Sequence, residues 1–370
     1  MRQRSERAVP ALAFRTIFAP TSADVLAPQA PVVALAEGEP WGASTIDGVP
    51  LEPEAISLRS ARTATRPMRA WFLANALVSP VDGVVLSGRP RKVVAESLNT
   101  GMESLNADDR QAARLRRFSK VRPESMAGTV SVLRSPGRNH YHSLVDNLAR
   151  VCAFGLPQLT STPVDILYNG PLTPVERFVL DRLRPPGVTL RPLASEGLVR
   201  AERLVLPTFP AWRYSGWLPS WYRDRLREAL RPDRPSRRSE RIYIVRRRAR
   251  RLTNEDELLR RLGRHGFRPV ELEGLTFPEQ VELFHDAEAV VAAHGAGLTN
   301  LLFADRALVV EISPTPFVFP HYLMMSLSLG HHHRSVLGTR TTRWEAFDAD
   351  TAAVEEEFVT GLESLGDPGD

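Results

Sequence analysis

The chain has 370 residues, 43% of them hydrophobic and 25% charged, with 48 Lys plus Arg against 43 Asp plus Glu, a formal charge of +5 and a sequence pI near 9.8. That length suits two domains better than one core, and no apolar run approaches the ~20 residues that span a bilayer. A single cysteine, Cys152, excludes an intrachain disulfide and fits a reducing compartment, so the expectation is a cytoplasmic protein.

The N-terminal stretch is basic, but Arg15 and two prolines interrupt it, which leaves no apolar region of a secretory signal. Residues 1–125 carry short apolar runs between Pro/Gly punctuation and one helical pattern at 108–118. From Thr129 the pattern sharpens. Thr129–Leu133 alternates as a strand, Ser135-Pro136-Gly137 turns, and Tyr141–Phe154 has helical periodicity. A strand at Val164–Tyr168 precedes a helix opened by Thr173-Pro174-Val175-Glu176, a capping residue followed by proline and a carboxylate. Strands at Val188–Leu190 and Arg203–Leu206 and a helix at Trp221–Leu230 complete this half.

Arg231–Glu240 (RPDRPSRRSE) is polar and proline-punctuated and reads as a linker. The chain then alternates regularly. Ile242–Val245, Phe267–Leu272, Ala289–Ala293 and Leu308–Ile312 are expected strands. Between and after them lie helices at Asn254–Arg264 (boxed by Asn254 and Glu257), Thr276–Asp286 (boxed by Thr276 and Glu279), from Gly297, and at Pro320–Leu329. Such alternation implies parallel βαβ units, with ligands beyond the carboxyl ends of the strands. The domains expected are 1–232, a linker at 233–240, a second domain at 241–345, and a C-terminal segment at 346–370. Its helix near Ala352–Leu362 is a candidate to cross back to the first domain.

Three clusters carry chemistry. In the first, the apolar strand Ala289–Ala293 runs into His294-Gly295-Ala296-Gly297-Leu298-Thr299-Asn300. This strand–glycine–helix turn would offer backbone N–H groups to an anion. A third dinucleotide-type glycine is absent, since Asn300 stands in its place, so the pattern is a phosphate site rather than a specific NAD site.

In the second, Arg246 and Arg247 follow the strand Ile242–Val245, with Arg250 and Arg251 behind them. They are phosphate-binding forks or a solvated charge run, and the strand makes Arg246 and Arg247 the better candidates. In the third, His142 and Asp146 share a helix face within Asn139-His140-Tyr141-His142-Ser143-Leu144-Val145-Asp146. They form a general-base pair or a surface ion pair.

Glu311, at the end of a strand, is a carboxylate for ribose hydroxyls or a solvated strand end. The run His331-His332-His333 is structural, because neighbours on a strand point to opposite faces. Trp212, Trp217, Trp221 and Tyr222 could stack on sugars but fit a core edge better. Of the basic residues only Lys92 and Lys120 are lysine. The charge alone suits nucleic acid, an anionic membrane surface or a phosphorylated ligand.

The stretch from RIYIVRRR to HGAGLTN and ALVVEI resembles family 61 glycosyltransferases over about residues 129–335. The HGAGLTN motif is intact at His294–Asn300, the paired arginines fall on Arg246 and Arg247, and an Asn-Glu pair falls on Asn254 and Glu255. The upstream N-x-Y-H-x-x-x-D pattern falls on Asn139, Tyr141, His142 and Asp146. Val245 replaces the usual serine.

The resemblance implies an α/β GT-B architecture of two Rossmann-like domains and an inverting transfer from a UDP-sugar without a metal or other cofactor. His142 and Asp146 would be catalytic, with Asp146 acting directly as the alternative. Arg246, Arg247, Arg251, His294, Gly295, Ala296, Gly297, Thr299, Asn300 and Glu311 would bind the donor, and Asn139 and Tyr141 would line the acceptor side. The implied partners are a nucleotide-sugar donor and a glycan, glycolipid or protein hydroxyl, as in capsule or envelope synthesis. A peripheral position on the anionic inner face of the plasma membrane suits the charge. A sugar-nucleotide epimerase and a nucleic-acid-binding protein are the rival classes.

Overall fold

The computed structural model describes residues 22–39, 67–80, 83–88, 92–98, 122–134, 139–161, 163–193, 197–210, 216–315, 319–341 and 345–366. The helix expected at 108–118, the turn at 135–137 and Trp212 lie outside the described residues.

The strands fall into two sheets. The first holds β1 (Val32–Ala36), β2 (Met68–Ala74), β3 (Leu77–Val78), β4 (Val85–Leu86), β5 (Glu124–Val132), β6 (Val164–Tyr168), β7 (Val188–Pro192) and β8 (Val199–Pro207). Its order is β1-β2-β8-β5-β6-β7, with β3 pairing β8 and β4 pairing β3. Strands β8, β5, β6 and β7 are parallel, whereas β1 to β4 join antiparallel. The stretch before residue 100 therefore builds one edge of the first sheet.

The second sheet, β9 (Glu240–Ile244), β10 (Arg268–Val270), β11 (Ala287–Ala293), β12 (Leu308–Thr315) and β13 (His332–Arg340), has the order β10-β9-β11-β12-β13. It is parallel throughout, and the α/β class expected from the sequence stands. Strand β13 was not anticipated, because its residues HHRSVLGTR are half-buried rather than apolar.

Alternation along the second sheet divides its side chains between two cores. Ile242, Ile244, Val290, Ala292 and Val309 face one buried cluster, and Tyr243, Ala289, Val291, Val310 and Ile312 face another. Period two puts neighbours on opposite faces, and a parallel sheet covered on both sides reads as a continuous apolar run.

The first of these clusters also contains Val145, Leu148, Tyr222 and Leu226, so it is common to both halves. Arg227, on the helix Ser220–Leu230, reinforces the seam by donating to Leu302 O at 2.8 Å and Ala304 O at 2.7 Å. Trp217 and Tyr222 are buried there. Trp217 Nε1 donates to Glu39 at 3.1 Å and the Tyr222 hydroxyl to Leu144 O at 2.6 Å. Cys152 is buried and free, and burial raises its thiol pKa to about 12.

Three local expectations need correction. The C-terminal helix, Thr351–Gly366, packs Val354 and Phe358 into the outer cluster of the second sheet rather than crossing back. Glu355 accepts from Arg261 and meets His265, both at 2.9 Å.

The stretch 231–240 is strapped to the second half rather than loose. Arg234 forks onto Asp286 at 2.7 and 2.9 Å, Arg237 N donates to the same carboxylate at 2.9 Å, and His285 meets Arg234 O at 2.9 Å. Asn254 does not cap its helix. Its amide exchanges hydrogen bonds with the backbone of Ala349 at 2.8 and 3.1 Å, while Glu257 accepts from Thr351 and Arg261. The capping boxes at Thr173/Glu176 and Thr276/Glu279 are both present.

Candidate functional site

The first half contributes a carboxylate–imidazole pair. Residues His142–Asn147 form a π-helix that continues as the α-helix Leu148–Cys152, a widening often found at functional positions. Asn139 Oδ1 accepts from His142 N at 2.9 Å and fixes the start of the turn. Asp146 is buried, and its Oδ2 lies 2.6 Å from His142 Nδ1. The His142 side chain keeps 24% of its surface exposed. With Nδ1 held by a carboxylate, Nε2 is the ring nitrogen placed to act as a base.

One turn further on stands Arg150, which sequence reasoning missed. It is fully buried, with its guanidinium 4.4 Å over the ring of Phe209 and no hydrogen bond to any of its three nitrogens among the described residues. Burial pulls its pKa down to about 9, and the charge of Asp146 opposes that fall.

The second half contributes the glycine turn and the arginines. A β-carbon at Gly295 would collide with the guanidinium of Arg246, and one at Gly297 would lie 2.8 Å from Leu272 Cδ1. Here the glycines make room for side chains behind the turn. Arg246 Nε donates to Ala249 O at 3.0 Å, while its terminal nitrogens have no hydrogen-bond partner among the described residues. Burial lowers its pKa somewhat. Half-buried cations without partners mark anion sites more strongly than paired surface ones.

Arg247 is different. Its side chain is 63% exposed, pairs closely with Glu271 and lies 3.6 Å from Glu255. Arg251 is exposed, and its carbonyl serves Phe347 N at 3.1 Å. Arg250, set at positive φ, carries a charge that reaches His321 and, with Arg246, Tyr322. Position 250 thus faces the seam where 251 was expected to.

The segment after the turn is the 3₁₀ helix Ala296–Phe303, on which Ala296 and Gly297 keep partial exposure. Thr299 and Asn300 are fully buried, so they do not offer the direct ligand contacts the sequence suggested. Asn300 instead joins the halves, meeting His140 Nε2 and donating to Gln280 Oε1, both at 2.8 Å.

Glu311 also departs from expectation. It is 3% exposed, with one oxygen on His294 Nδ1 and the other 3.3 Å from His333 Nε2. Burial would raise its pKa, but the two imidazoles outweigh that and hold it down to about 2. A carboxylate so engaged orients His294 and is not open to a ribose. His331 and His333 turn to different partners, His331 to Leu301 O and Ala307 N and His333 to Glu311 and Ser326.

These groups meet at the seam between the sheets. Tyr141, buried beside His142, stacks on His321 at 5.3 Å, and His321 lies 5.8 Å from His294. Alongside is a cleft of about 800 Å³ walled by His140, Thr173 and Phe178 on one side and by Glu273, Thr276 and Gln280 on the other. That volume falls in the range of small-molecule sites.

Residues 140–310 match the family model described as Glycosyltransferase 61. The rice (Oryza sativa subsp. japonica) protein named beta-1,2-xylosyltransferase XAX1 is 33% identical over 139 residues, covering 35% of this chain and 25% of the relative. The chain thus spans about a quarter of the length of that relative. Residues 140–310, which include both clusters described above, form a family 61 glycosyltransferase domain.

Proposed function

We propose that this glycosyltransferase moves a sugar from a UDP-activated donor to a hydroxyl of a glycan, glycolipid or protein acceptor, with inversion and without a divalent metal. The observation that carries the reading is the meeting, at one seam, of two groups of unequal chemistry. The first half presents the partly exposed imidazole of His142 with its buried carboxylate. The second presents the guanidinium of Arg246, whose terminal nitrogens have no hydrogen-bond partner among the described residues, against Gly295. The two α/β sheets are the parts a GT-B enzyme needs.

In this reading the acceptor hydroxyl gives its proton to His142 Nε2 as its oxygen attacks the anomeric carbon. Asp146 keeps the ring in the Nδ1–H tautomer and stabilises the imidazolium that forms. The bond from the anomeric carbon to the phosphate oxygen breaks, and its electron pair leaves with UDP. Arg246, with Arg250 behind it and the partly exposed turn at Ala296 and Gly297, stabilises that charge. Removing Arg246 by way of a β-carbon at Gly295 would cost the same interaction.

We place the protein in the cytoplasm, where nucleotide sugars are the co-substrate, and set its basic surface against an anionic membrane. Among the described residues no helix is long and apolar enough to cross one.

A thermal-shift panel of nucleotides and nucleotide sugars, followed by transfer assays in excess EDTA, tests the reading. UDP and UDP-sugars are expected to raise the midpoint, since a ligand at about 100 times its Kd adds roughly 2.7 kcal/mol, and EDTA is expected to leave transfer intact. No shift with any uridine nucleotide contradicts the donor, and loss of transfer restored by manganese contradicts the metal-free mechanism.

A further inference from the structure

We infer that His321 is a specificity-determining residue of the transfer, donating a hydrogen bond from Nε2 to an oxygen of the transferred sugar. The inference rests on the transferase reading above and adds a third imidazole to it.

His321 opens the helix His321–Leu329 and is held by two aromatic rings. Tyr141 stacks on it at 5.3 Å and 24°, and Phe319 at 5.5 Å and 23°. The backbone beneath is fixed as well. Gly216 stands at φ 105°, and a β-carbon there would collide with the carbonyl oxygen of His321. Three stretches of chain, at Tyr141, Gly216 and Phe319–His321, thus fix this residue, a degree of fixation that a filler side chain does not need.

The two ring nitrogens differ. Nδ1 is buried and has no hydrogen-bond partner. A buried N–H without a partner is costlier than a bare acceptor, so the proton belongs on Nε2. His321 keeps partial exposure, and no hydrogen bond to Nε2 is present among the described residues, so Nε2 is the nitrogen placed to reach a ligand at the seam. Burial, followed by the like charge of His294, holds the pKa at about 3, which keeps the ring neutral and a steady donor across the working pH range.

Position assigns the ligand. The ring is joined to His142 through Tyr141, which meets both rings at 5.3 Å, and lies 5.8 Å from His294, the residue before the Gly295 that backs onto Arg246. In a single in-line displacement the incoming oxygen, the anomeric carbon and the leaving oxygen are aligned. A group between the proton acceptor and the leaving-group cation therefore stands beside the sugar and apart from the nucleotide. A site built to hydrogen-bond a substrate hydroxyl discriminates strongly against analogues that lack it.

The test compares wild type, His321→Phe, which keeps the stack and removes the donor, and His321→Gln, which restores an N–H. Calorimetry measures the affinity of UDP alone. Transfer or donor hydrolysis is then followed with UDP-xylose, UDP-glucose, UDP-galactose and UDP-N-acetylglucosamine.

Expected for His321→Phe is wild-type UDP affinity, a loss of roughly 3- to 10-fold in kcat/KM with the preferred donor, and a flattened ranking among the four sugars. His321→Gln should recover part of both. Unchanged turnover and ranking in a UDP-binding His321→Phe protein overturns the inference while leaving the transferase reading standing. Equal losses in UDP affinity and turnover overturn it too, by moving His321 to the nucleotide. Failure of wild type to bind UDP overturns the transferase reading itself. If His321→Phe does not fold, His321→Leu, which also lacks a donor, replaces it, with the same outcomes.

Discussion

The two halves solve the same architectural problem in different ways. The second sheet is built from consecutive βαβ units, so each strand pairs with neighbours supplied within a short span of chain, and both of its faces are covered by apolar side chains. The first sheet has four parallel strands in its middle and finishes one edge with short antiparallel strands drawn from residues 32–86. Regularity and chemistry divide along the same line. The regular half presents fixed cations and a turn at strand ends, which suits holding a charged donor. The irregular half interrupts a helix with a π-turn that carries His142 and Asp146.

If the first half supplies only the proton acceptor, its removal should abolish turnover. His142→Ala is expected to lower turnover by about 10²–10⁴-fold, and Asp146→Asn to act in the same direction. The double variant should be little worse than the worse single one, because the pair acts as a unit. Steady-state kinetics on folded protein checks this. Near-normal turnover in both single variants would return the pair to a structural ion contact.

The contrast between the halves also explains what the sequence disclosed. Strands β9, β11 and β12 were legible because burial on both faces makes them apolar runs, and the boxes at Thr173/Glu176 and Thr276/Glu279 mark helix starts within four residues. Strands β1 to β4 were not, because their partners are remote: Ala70 pairs with Pro207 and Leu77 with Arg200.

The site was legible to the same depth. His142 and Asp146 are one turn apart and visible as a local pattern. Arg150 and His321 matter through Phe209 and Tyr141, contacts that no local spacing announces. Glu311 misled because the sequence shows a carboxylate at a strand end and hides the two histidines that occupy it.

The strap between the halves gives a smaller effect. Asp286→Asn removes the charge that holds Arg234 and the Arg237 amide, at a cost of roughly 1.5–3 kcal/mol in stability. The hydrogen bonds from Arg234 hold this carboxyl at about 2, against 3.8 ordinarily. Its contribution is therefore fully present above about pH 4 and lost as the pH falls toward 2. Chemical denaturation at several pH values should show the gap between wild type and Asp286→Asn closing over that window.

The smallest effect is expected at Arg247. Exposed and already paired with Glu271 and Glu255, it should contribute about 0–1 kcal/mol, so Arg247→Ala should weaken UDP binding by no more than roughly fivefold. A large loss there would mean that Arg247 leaves its carboxylates and turns to the donor when the nucleotide arrives.

The division of labour itself is tested most directly by titrating UDP calorimetrically into wild type, His142→Ala and Arg246→Ala. The account predicts an unchanged Kd for His142→Ala and a Kd weakened by about 10- to 150-fold for Arg246→Ala, the cost of one charge-assisted hydrogen-bonding group. A Kd that rises with His142→Ala and holds with Arg246→Ala would contradict it.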